Sequence, residues 1–177
     1  LSLTNSSFYE NLYLKTKSQL LEDNNISLYP KHYLGHYKTT INIIKNKPLT
    51  GTGSDTFQYT CSDKSYVFFY DSFYDSNGNE ININSCSTHP HNFYLQIFSE
   101  NGIVSFLLLL LFYFFISKEM FMCIFVREID GYTFFYFSCL VSTFCAFFPL
   151  APSTNFYNTY LNGLTYFPII FILFYNL

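Results

Sequence analysis

Two histidines stand just before a long apolar run in the sequence. His89 and His91 flank Pro90, and Asn92 follows them. Thr88 or His89 can cap a helix, and proline is favoured in a first turn, so the pattern places His91 at the N-terminal end of a helix. The positive end of the helix dipole lowers the pKa of a histidine, and the free amides there attract phosphate oxygens. The segment therefore predicts a neutral histidine base beside an anion-binding site.

The same residues also have structural and metal-binding interpretations. Histidine and asparagine at a membrane interface often only cap a helix, so catalysis at His91 does not follow from the local pattern alone. His89 and His91 lie two positions apart and could bind a metal, but no acidic or cysteine ligand accompanies them at a suitable spacing. We therefore expect no metal site and no cofactor.

The charge distribution places these histidines at the edge of a membrane region. Sixteen of the 21 charged residues lie in the first hundred positions, and none follows Asp130. Charged residues make up 12% of the chain, against about a quarter of a soluble domain. The last 47 residues carry no charge, and we therefore predict that the C-terminal part is embedded in a membrane.

Three apolar segments are candidates for crossing a bilayer of roughly 30 Å. They cover residues 101–117, 132–150 and 163–177. The first corresponds to about 26 Å of helix, and Lys118 can snorkel while the helix continues beyond it. We expect an all-α polytopic membrane protein in which residues 1–100 form a large, partly helical loop region and residues 101–177 form about three transmembrane helices.

Basic residues between the spans predict the orientation. The connection from Lys118 to Asp130 contains Lys118 and Arg127, whereas residues 151–162 contain neither Lys nor Arg. The positive-inside rule therefore puts the first connection in the cytoplasm and residues 1–100 outside. Because the chain begins with Leu and shows no signal peptide, we expect it to be the C-terminal portion of a longer polytopic protein.

Two helices are predicted within the external region. Residues 1–25 have mixed helical spacing and are interpreted as an interfacial helix. Residues 36–47 have the pattern of an amphipathic helix that Pro48 ends. The apolar side of this helix is predicted to hold Tyr33, Tyr37, Ile41 and Ile44, and its polar side Lys38, Lys45 and Lys47.

Glycines and cysteines mark two further features of this region. The segment from Gly51 to Gly53 predicts a tight or closely approached turn, since a lone Gly-x-Gly is a weak signal for a phosphate loop. Cys61 and Cys86 face an oxidising compartment in this topology, which favours a disulfide over two free thiols. The other cysteines are predicted to be small buried apolar residues; they are Cys123, Cys139 and Cys145.

The composition also excludes several classes of function. Nine Lys and Arg against 12 Asp and Glu provide no basic field for nucleic acid. The 23 Phe and 17 Tyr supply far more apolar burial than a disordered chain carries. A transporter is disfavoured because the spans after Asp130 contain no charge for a substrate pathway.

The segment around His91 resembles the O-antigen ligase and O-antigen polymerase superfamily. His91 and Asn92 are followed after nine residues by Gly102 and then by Ser105, which is similar to the family signature. Residues 86–102 as a whole are similar to members of the family in detail. The resemblance extends over about residues 30–165 and includes the Gly-x-Gly element at 46–57 and the segment 152–156.

This resemblance implies a multi-pass glycosyltransferase of the bacterial inner membrane whose large loop is periplasmic. The implied reaction transfers a glycan from undecaprenyl-pyrophosphate to an acceptor sugar hydroxyl, in the lipid A core for a ligase or in a growing O-antigen chain for a polymerase. His91 would be the catalytic base of an inverting, metal-independent transfer. The implied partners are the lipid-linked donor, the glycan acceptor and the bilayer.

The external region departs from the family in its basic residues. Members usually place arginines there to bind the pyrophosphate, whereas this chain has His36 and Gln58 near those positions, and its single arginine is Arg127. Lysine lacks the bidentate geometry of arginine, so we expect either that an N-terminal part outside this chain supplies the arginine or that this is an inactive or partial copy. Another alternative is a non-catalytic membrane protein whose external loop binds a glycan or a partner. The substrate-binding candidates are His36, Lys38, Lys45, Gln58, His89 and Asn92.

Overall fold

A computed structural model of the chain describes residues 21–22, 25–26, 31–74, 80–125, 128 and 130–175. Most of these residues are helical, as predicted. The first hundred residues also contain two small antiparallel hairpins, which the all-α prediction did not include.

Four short strands form the two hairpins. Strands β1 (Leu21–Glu22) and β2 (Asn25–Ile26) pair with each other, as do β3 (Phe69–Tyr74) and β4 (Glu80–Asn84). The predicted helix over residues 1–25 therefore ends in a strand pair, and its earlier part lies outside the described residues. In β4 isoleucine alternates with asparagine, which is a strand period of two that the search for helical spacing overlooked.

Helix α1 spans Lys31–Asn46 and thus begins five residues before the predicted start. It ends where expected, because Pro48 has no N–H to donate to the carbonyl of Ile44. The predicted apolar side is not the buried one, since Ile41 is 41% exposed. The residues that α1 buries at helical spacing are instead His36, Thr39, Thr40 and Ile43. A short helix α2 (Phe57–Thr60) follows.

Three apolar helices form the C-terminal part: α3 (Phe93–Phe125), α4 (Gly131–Ala146) and α5 (Thr159–Tyr175). Helix α3 is long and apolar enough to cross a membrane by length and composition, whereas α4 and α5 are shorter. The first span was predicted to begin at residue 101, but α3 begins eight residues earlier and continues past Lys118. The predicted boundary between residues 100 and 101 lies within α3.

The contacts among these helices are mainly apolar. Their shared core consists of Ile116, Cys123, Tyr136, Cys139, Leu140 and Ile172. Cys123 and Cys139 are buried as predicted, but Cys145 is exposed because it lies on an outer side of α4. Many large apolar side chains also face outward, among them Leu108, Leu111, Phe114, Phe134, Leu164 and Leu173. An exposed apolar surface of this kind is typical of sites that contact a membrane or another protein.

Helix α3 is broken at Gly102, whose φ is 79°. The turn that contains Gly51 packs into the break, and its backbone pairs with α3 on both sides of it. The N–H groups of Thr52 and Gly53 donate to the carbonyls of Ser99 and Glu100 at 3.0 and 2.8 Å. The N–H of Ile103 donates to the carbonyl of Pro48 at 3.0 Å. The predicted close approach at the Gly-x-Gly turn is confirmed, and the approaching segment is α3.

Candidate active site

A cleft of about 660 Å³ lies where four segments of the chain meet. These segments are the start of α1, the turn before α2, the loop before α3 and the loop between α4 and α5. The cleft is lined by Tyr33, Asp55, Gln58, Thr88, His89, His91, Pro152, Ser153, Thr154, Asn155 and Asn158. Its volume falls within the range of about 300–1,000 Å³ that is usual for small-molecule sites.

Asn92 fixes the start of α3 and thereby the position of His91. Its Oδ1 accepts from the N–H of Leu95 at 3.1 Å, and its Nδ2 donates to the carbonyl of Pro149 at 2.8 Å. The cap is therefore Asn92, and the prediction of Thr88 or His89 as cap, with proline in the first turn, was wrong. Asn92 is buried by these structural contacts.

His91 immediately precedes this cap in a left-handed backbone conformation, with φ at 56°. Few residues other than glycine adopt this conformation, although histidine, asparagine and aspartate do so more often than most. The carbonyl of His91 accepts from the N–H of Ser153 at 2.9 Å. This contact ties the conformation of His91 to the loop between α4 and α5.

Three histidines and a tyrosine cluster at this point. The ring centroid of His91 lies 4.1 Å from that of His89, 5.2 Å from that of His36 and 5.1 Å from that of Tyr33. His36 is buried, and its Nδ1 donates to the carbonyl of Ser85 at 2.7 Å. Its Nε2 is therefore the acceptor nitrogen when the ring is neutral.

The environment of His89 favours its neutral form. Burial lowers the pKa of His89 below its usual 6.5, and the nearby His36 lowers this pKa further against an opposing contribution from the Ser153 backbone. His89 is therefore neutral at pH 7.

Gln96 of α3 holds the loop that lines the far side of the cleft. Its Nε2 donates to Oδ1 of Asn155 at 2.8 Å, and its Oε1 accepts from the N–H of Phe156 at 2.9 Å. Gln96 is fully buried, so both polar ends of its side chain are satisfied in a place without water. The loop is thereby fixed to the helix that begins beside His91.

Glu100, one turn further along α3, holds the opposite turn. Its carboxylate accepts from the N–H of Phe57 at 2.7 Å and from the N–H of Asp55 at 3.3 Å. These donors include the first backbone amide of α2, so Glu100 acts as a cap supplied from another helix. Only 1% of Glu100 is exposed.

A disulfide joins the two cysteines of the first hundred residues. Cys61 and Cys86 are bonded, and their Cα atoms lie 5.1 Å apart. Cys61 packs with Ile43 and Phe57 in a small apolar cluster beneath α1 and α2. The bond therefore fixes the end of α2 to the segment that leads to His89.

A family model described as O-antigen ligase matches residues 4–110. The chain belongs to the O-antigen ligase family. No curated protein and no solved structure matches the chain. Members of the O-antigen ligase family are glycosyltransferase-like ligases of the bacterial inner membrane and carry out glycan transfer of the ligase or polymerase type. The match includes the Gly-x-Gly turn, the disulfide and the histidines, but not the loop that carries Asn155.

The cleft of this O-antigen ligase family member brings together some of the predicted site residues and not others. Gln58, His89 and His91 line it, and His36 lies against the His91 ring. Lys38 is placed elsewhere, with its amino group 4.3 Å from the ring centroid of Phe68. The remaining candidates do not line the cleft: Lys45 is exposed and Asn92 is buried as the cap.

The charges in the lining differ from those expected for a phosphate site. Among the described residues no Lys or Arg lines the cleft, and Asp55 is the one Asp or Glu there. The side chain of Arg127 lies outside the described residues. Within residues that the structure describes, no three His, Cys, Asp or Glu side chains are grouped to hold a metal ion.

Sequence reasoning gave no role to three residues that build this site: Gln96, Glu100 and Asn155. Each of them belongs to a segment that resembles the family, and this resemblance was the one feature of the sequence that pointed to them. A single polar residue in an apolar helix does not show by its spacing which backbone amide it will meet. Their roles depend on contacts between residues 43 to 60 positions apart.

Proposed function

We propose that this protein transfers a glycan from undecaprenyl-pyrophosphate to an acceptor sugar hydroxyl in the described cleft. The acceptor is the lipid A core in a ligase or a growing O-antigen chain in a polymerase. Membership of the O-antigen ligase family supports the reaction class. The observation that carries the assignment is the His91 ring, which lines a cleft of suitable size beside His36, His89 and Tyr33.

In this proposal His91 is the catalytic base. The acceptor oxygen attacks the anomeric carbon of the donor and forms the new glycosidic bond, while the bond from that carbon to the pyrophosphate oxygen breaks. The leaving group departs with the electron pair, and the proton of the acceptor hydroxyl passes to the neutral imidazole of His91. Attack opposite to the leaving group inverts the anomeric centre.

The departing pyrophosphate needs neutralisation of charge and no proton. Because the described lining lacks Lys and Arg, cations for this group must come from beyond that lining. Lys38 and Lys45 of α1 are candidates that would act as point charges. Gln58 is a candidate within the cleft to donate a hydrogen bond to the pyrophosphate. His36 and Asn92 do not line the cleft and hold His91 in place, whereas His89 lines the cleft and is a candidate to contact the glycan donor.

We further propose that residues 1–100 face the periplasm and that residues 101–177 lie in the inner membrane as about three spans. The large apolar side chains exposed on α3, α4 and α5 support this placement. Helix α3 would then cross the bilayer with the Gly102 break near its outer surface. A lipid-linked donor would reach the cleft along the membrane plane.

The deciding experiment compares His91→Asn with His91→Ala in the full-length protein, expressed in cells that lack their own copy. Asparagine tolerates the left-handed backbone of His91, so His91→Asn removes the base with little effect on folding. We expect both variants to lose glycan transfer by at least about 100-fold, measured by electrophoresis of surface glycan. Lys64→Ala, an exposed residue of the same region, is the control and should transfer normally.

The absence of Lys and Arg from the described lining favours one alternative, a non-catalytic protein whose cleft binds glycan. In that case the wild-type protein would bind lipid-linked glycan in nanodiscs and release no pyrophosphate. Normal glycan transfer by His91→Asn would rule out the catalytic role of His91.

A further inference from the structure

The cleft contains one carboxylate whose position is unusually well fixed. Asp55 has a left-handed backbone, with φ at 57°, and its N–H donates to the buried Glu100. Aspartate is one of the few residues that tolerate this conformation. A strained backbone persists only where the surroundings hold it in place, and such positions concentrate at functional sites.

Asn155 meets Asp55 across the cleft. Its Nδ2 lies 3.4 Å from Oδ1 of Asp55, while its Oδ1 is held by Gln96 and by the N–H of Tyr157. One contact from Asn155 uses a small part of the acceptor capacity of the carboxylate, which amounts to about four lone-pair sites. Asp55 and Asn155 thus present acceptors and a donor side by side on a polar wall.

This pair suits the vicinal hydroxyls of a sugar ring, which need a donor and an acceptor at adjacent positions. The charge of the pair also selects among sugars, because the described lining offers no Lys or Arg to offset Asp55. A second carboxylate or a phosphate close to Asp55 would be repelled. A neutral or amino sugar would meet no such penalty.

We propose that Asp55 and Asn155 form the acceptor subsite and select a neutral or amino sugar over an acidic sugar. The subsite rests on the proposed glycan transfer, which it deepens by assigning one end of the cleft to the acceptor. The pyrophosphate of the donor is kept from this end by the same negative charge. His91 then lies between an acceptor end that repels anions and the donor.

Binding of three matched probes tests this subsite: methyl β-glucoside, methyl β-glucosaminide and methyl β-glucuronide. The full-length protein in nanodiscs is titrated with each probe and followed by saturation-transfer NMR. We expect the glucuronide to bind about fivefold more weakly than the glucoside, the ratio for two unit charges about 4 Å apart in water. Added salt should reduce this ratio, because salt screens exposed charges.

The Asp55→Asn variant removes the charge and keeps both the size of the side chain and its tolerance of the left-handed backbone. We expect the glucoside and the glucuronide to bind equally to this variant. Asp63→Asn is the matched control, since Asp63 is an exposed carboxylate of the same region that does not line the cleft. That variant should discriminate as the wild type does.

Three outcomes would overturn the subsite: equal binding of all probes to the wild type, discrimination that survives in Asp55→Asn, or binding of none. Transfer by His91→Asn is measured separately. If His91→Asn abolishes transfer while the probes do not discriminate, only the acceptor subsite is wrong. If the probes discriminate while His91→Asn still transfers, the catalytic proposal is wrong.

Discussion

The surroundings of the cleft and the bundle of α3, α4 and α5 are stabilised by different interactions. Around the cleft many buried side chains are polar, among them Thr39, Thr40, Ser85, Gln96 and Glu100. In the bundle the core is formed by apolar residues such as Ile116, Leu140 and Ile172. A buried hydrogen bond requires its donor and acceptor to meet in one orientation, and the loss of either group leaves the other buried and unpaired. Apolar contacts are less directional and tolerate exchange. The cleft should therefore be much more sensitive to single substitutions than the bundle.

The largest expected effect comes from a methyl group at the break in α3. In Gly102→Ala the added carbon would overlap the backbone carbonyl of Leu49, and the residue would have to keep a φ of 79°. A backbone contact cannot move aside as a flexible side chain can. We expect a loss of about 4 kcal/mol or more in the free energy of unfolding, measured by thermal unfolding in detergent. Gly51→Ala, which would overlap the backbone of Glu100, should behave alike.

Gly163→Ala in α5 is the matched control for these two variants. A methyl group there meets no described atom within 4 Å, and alanine is favoured over glycine in a helix. It should leave stability unchanged or raise it by up to about 1 kcal/mol. If Gly102→Ala is as stable as Gly163→Ala, the turn that contains Gly51 does not pack against α3 as closely as described.

The next effect concerns the disulfide, which closes a loop with a sequence separation of 25. Replacing Cys61 and Cys86 together by serine should cost about 2–4 kcal/mol. We expect the loss in the region around the cleft and not in the bundle, because both cysteines lie outside it. Hydrogen exchange resolved by segment would show this difference. The control Cys145→Ser, at an exposed thiol, should change hydrogen exchange in neither region. Increased exchange in α4 of the double variant would contradict the separate stabilisation of the cleft and the bundle.

A smaller loss of stability is expected from two substitutions that nearly conserve side-chain volume, one beside the cleft and one in the bundle. Glu100→Gln replaces one acceptor oxygen with a donor that faces a backbone N–H, and should cost about 1–3 kcal/mol. Leu140→Met conserves volume at a fully buried position of the bundle and should cost less than about 1.5 kcal/mol. Chemical unfolding measures both. A larger loss for Leu140→Met would reverse the comparison.

The smallest effect is a dependence of stability on pH that comes from His89. Because its pKa in the folded protein lies below the usual 6.5, the unfolded chain binds the proton first as the pH falls. Neutral His89 therefore contributes fully to the free energy of unfolding above about pH 7. This contribution is lost as the pH falls from there towards the pKa of His89 in the folded protein. Since solvent screens this half-buried group, the loss should be smaller than the losses expected for the substitutions above. His89→Asn should flatten the slope of the unfolding midpoint between pH 5 and 7; an unchanged slope would contradict the origin in His89.

The sequence predicted the features that depend on local composition. The apolar helices, the stop at Pro48 and the tight glycine turn follow from residue type and near neighbours. The helix ends were shifted, because Asn92 caps α3 through its own side chain, and residues 93–100, which include the polar Gln96 and Glu100, form the first turns of the helix. Local spacing cannot weigh such a cap against the alternatives at Thr88 and His89.

The arrangement of the candidate site was less predictable, because it depends on long-range partners. The approach of His36 to His91 requires α1 to pack against the loop before α3, and no local pattern specifies that contact. The position of Lys38 over Phe68 depends in the same way on the β3–β4 hairpin, which helical spacing did not reveal. The buried side of α1 is polar because it packs against the β3–β4 hairpin, where Thr39 shares a hydrogen bond with Ser85.

The break at Gly102 also determines how this protein can be divided for experiments. A recombinant piece that stops at residue 100 would contain His91 but would lose the amide of Ile103 that pairs with Pro48. It would also lack Asn155, the partner of Gln96. Such a piece would present the histidines on an unsupported turn. Ligand screens and antibodies aimed at the cleft should therefore use protein that retains the chain at least through α5.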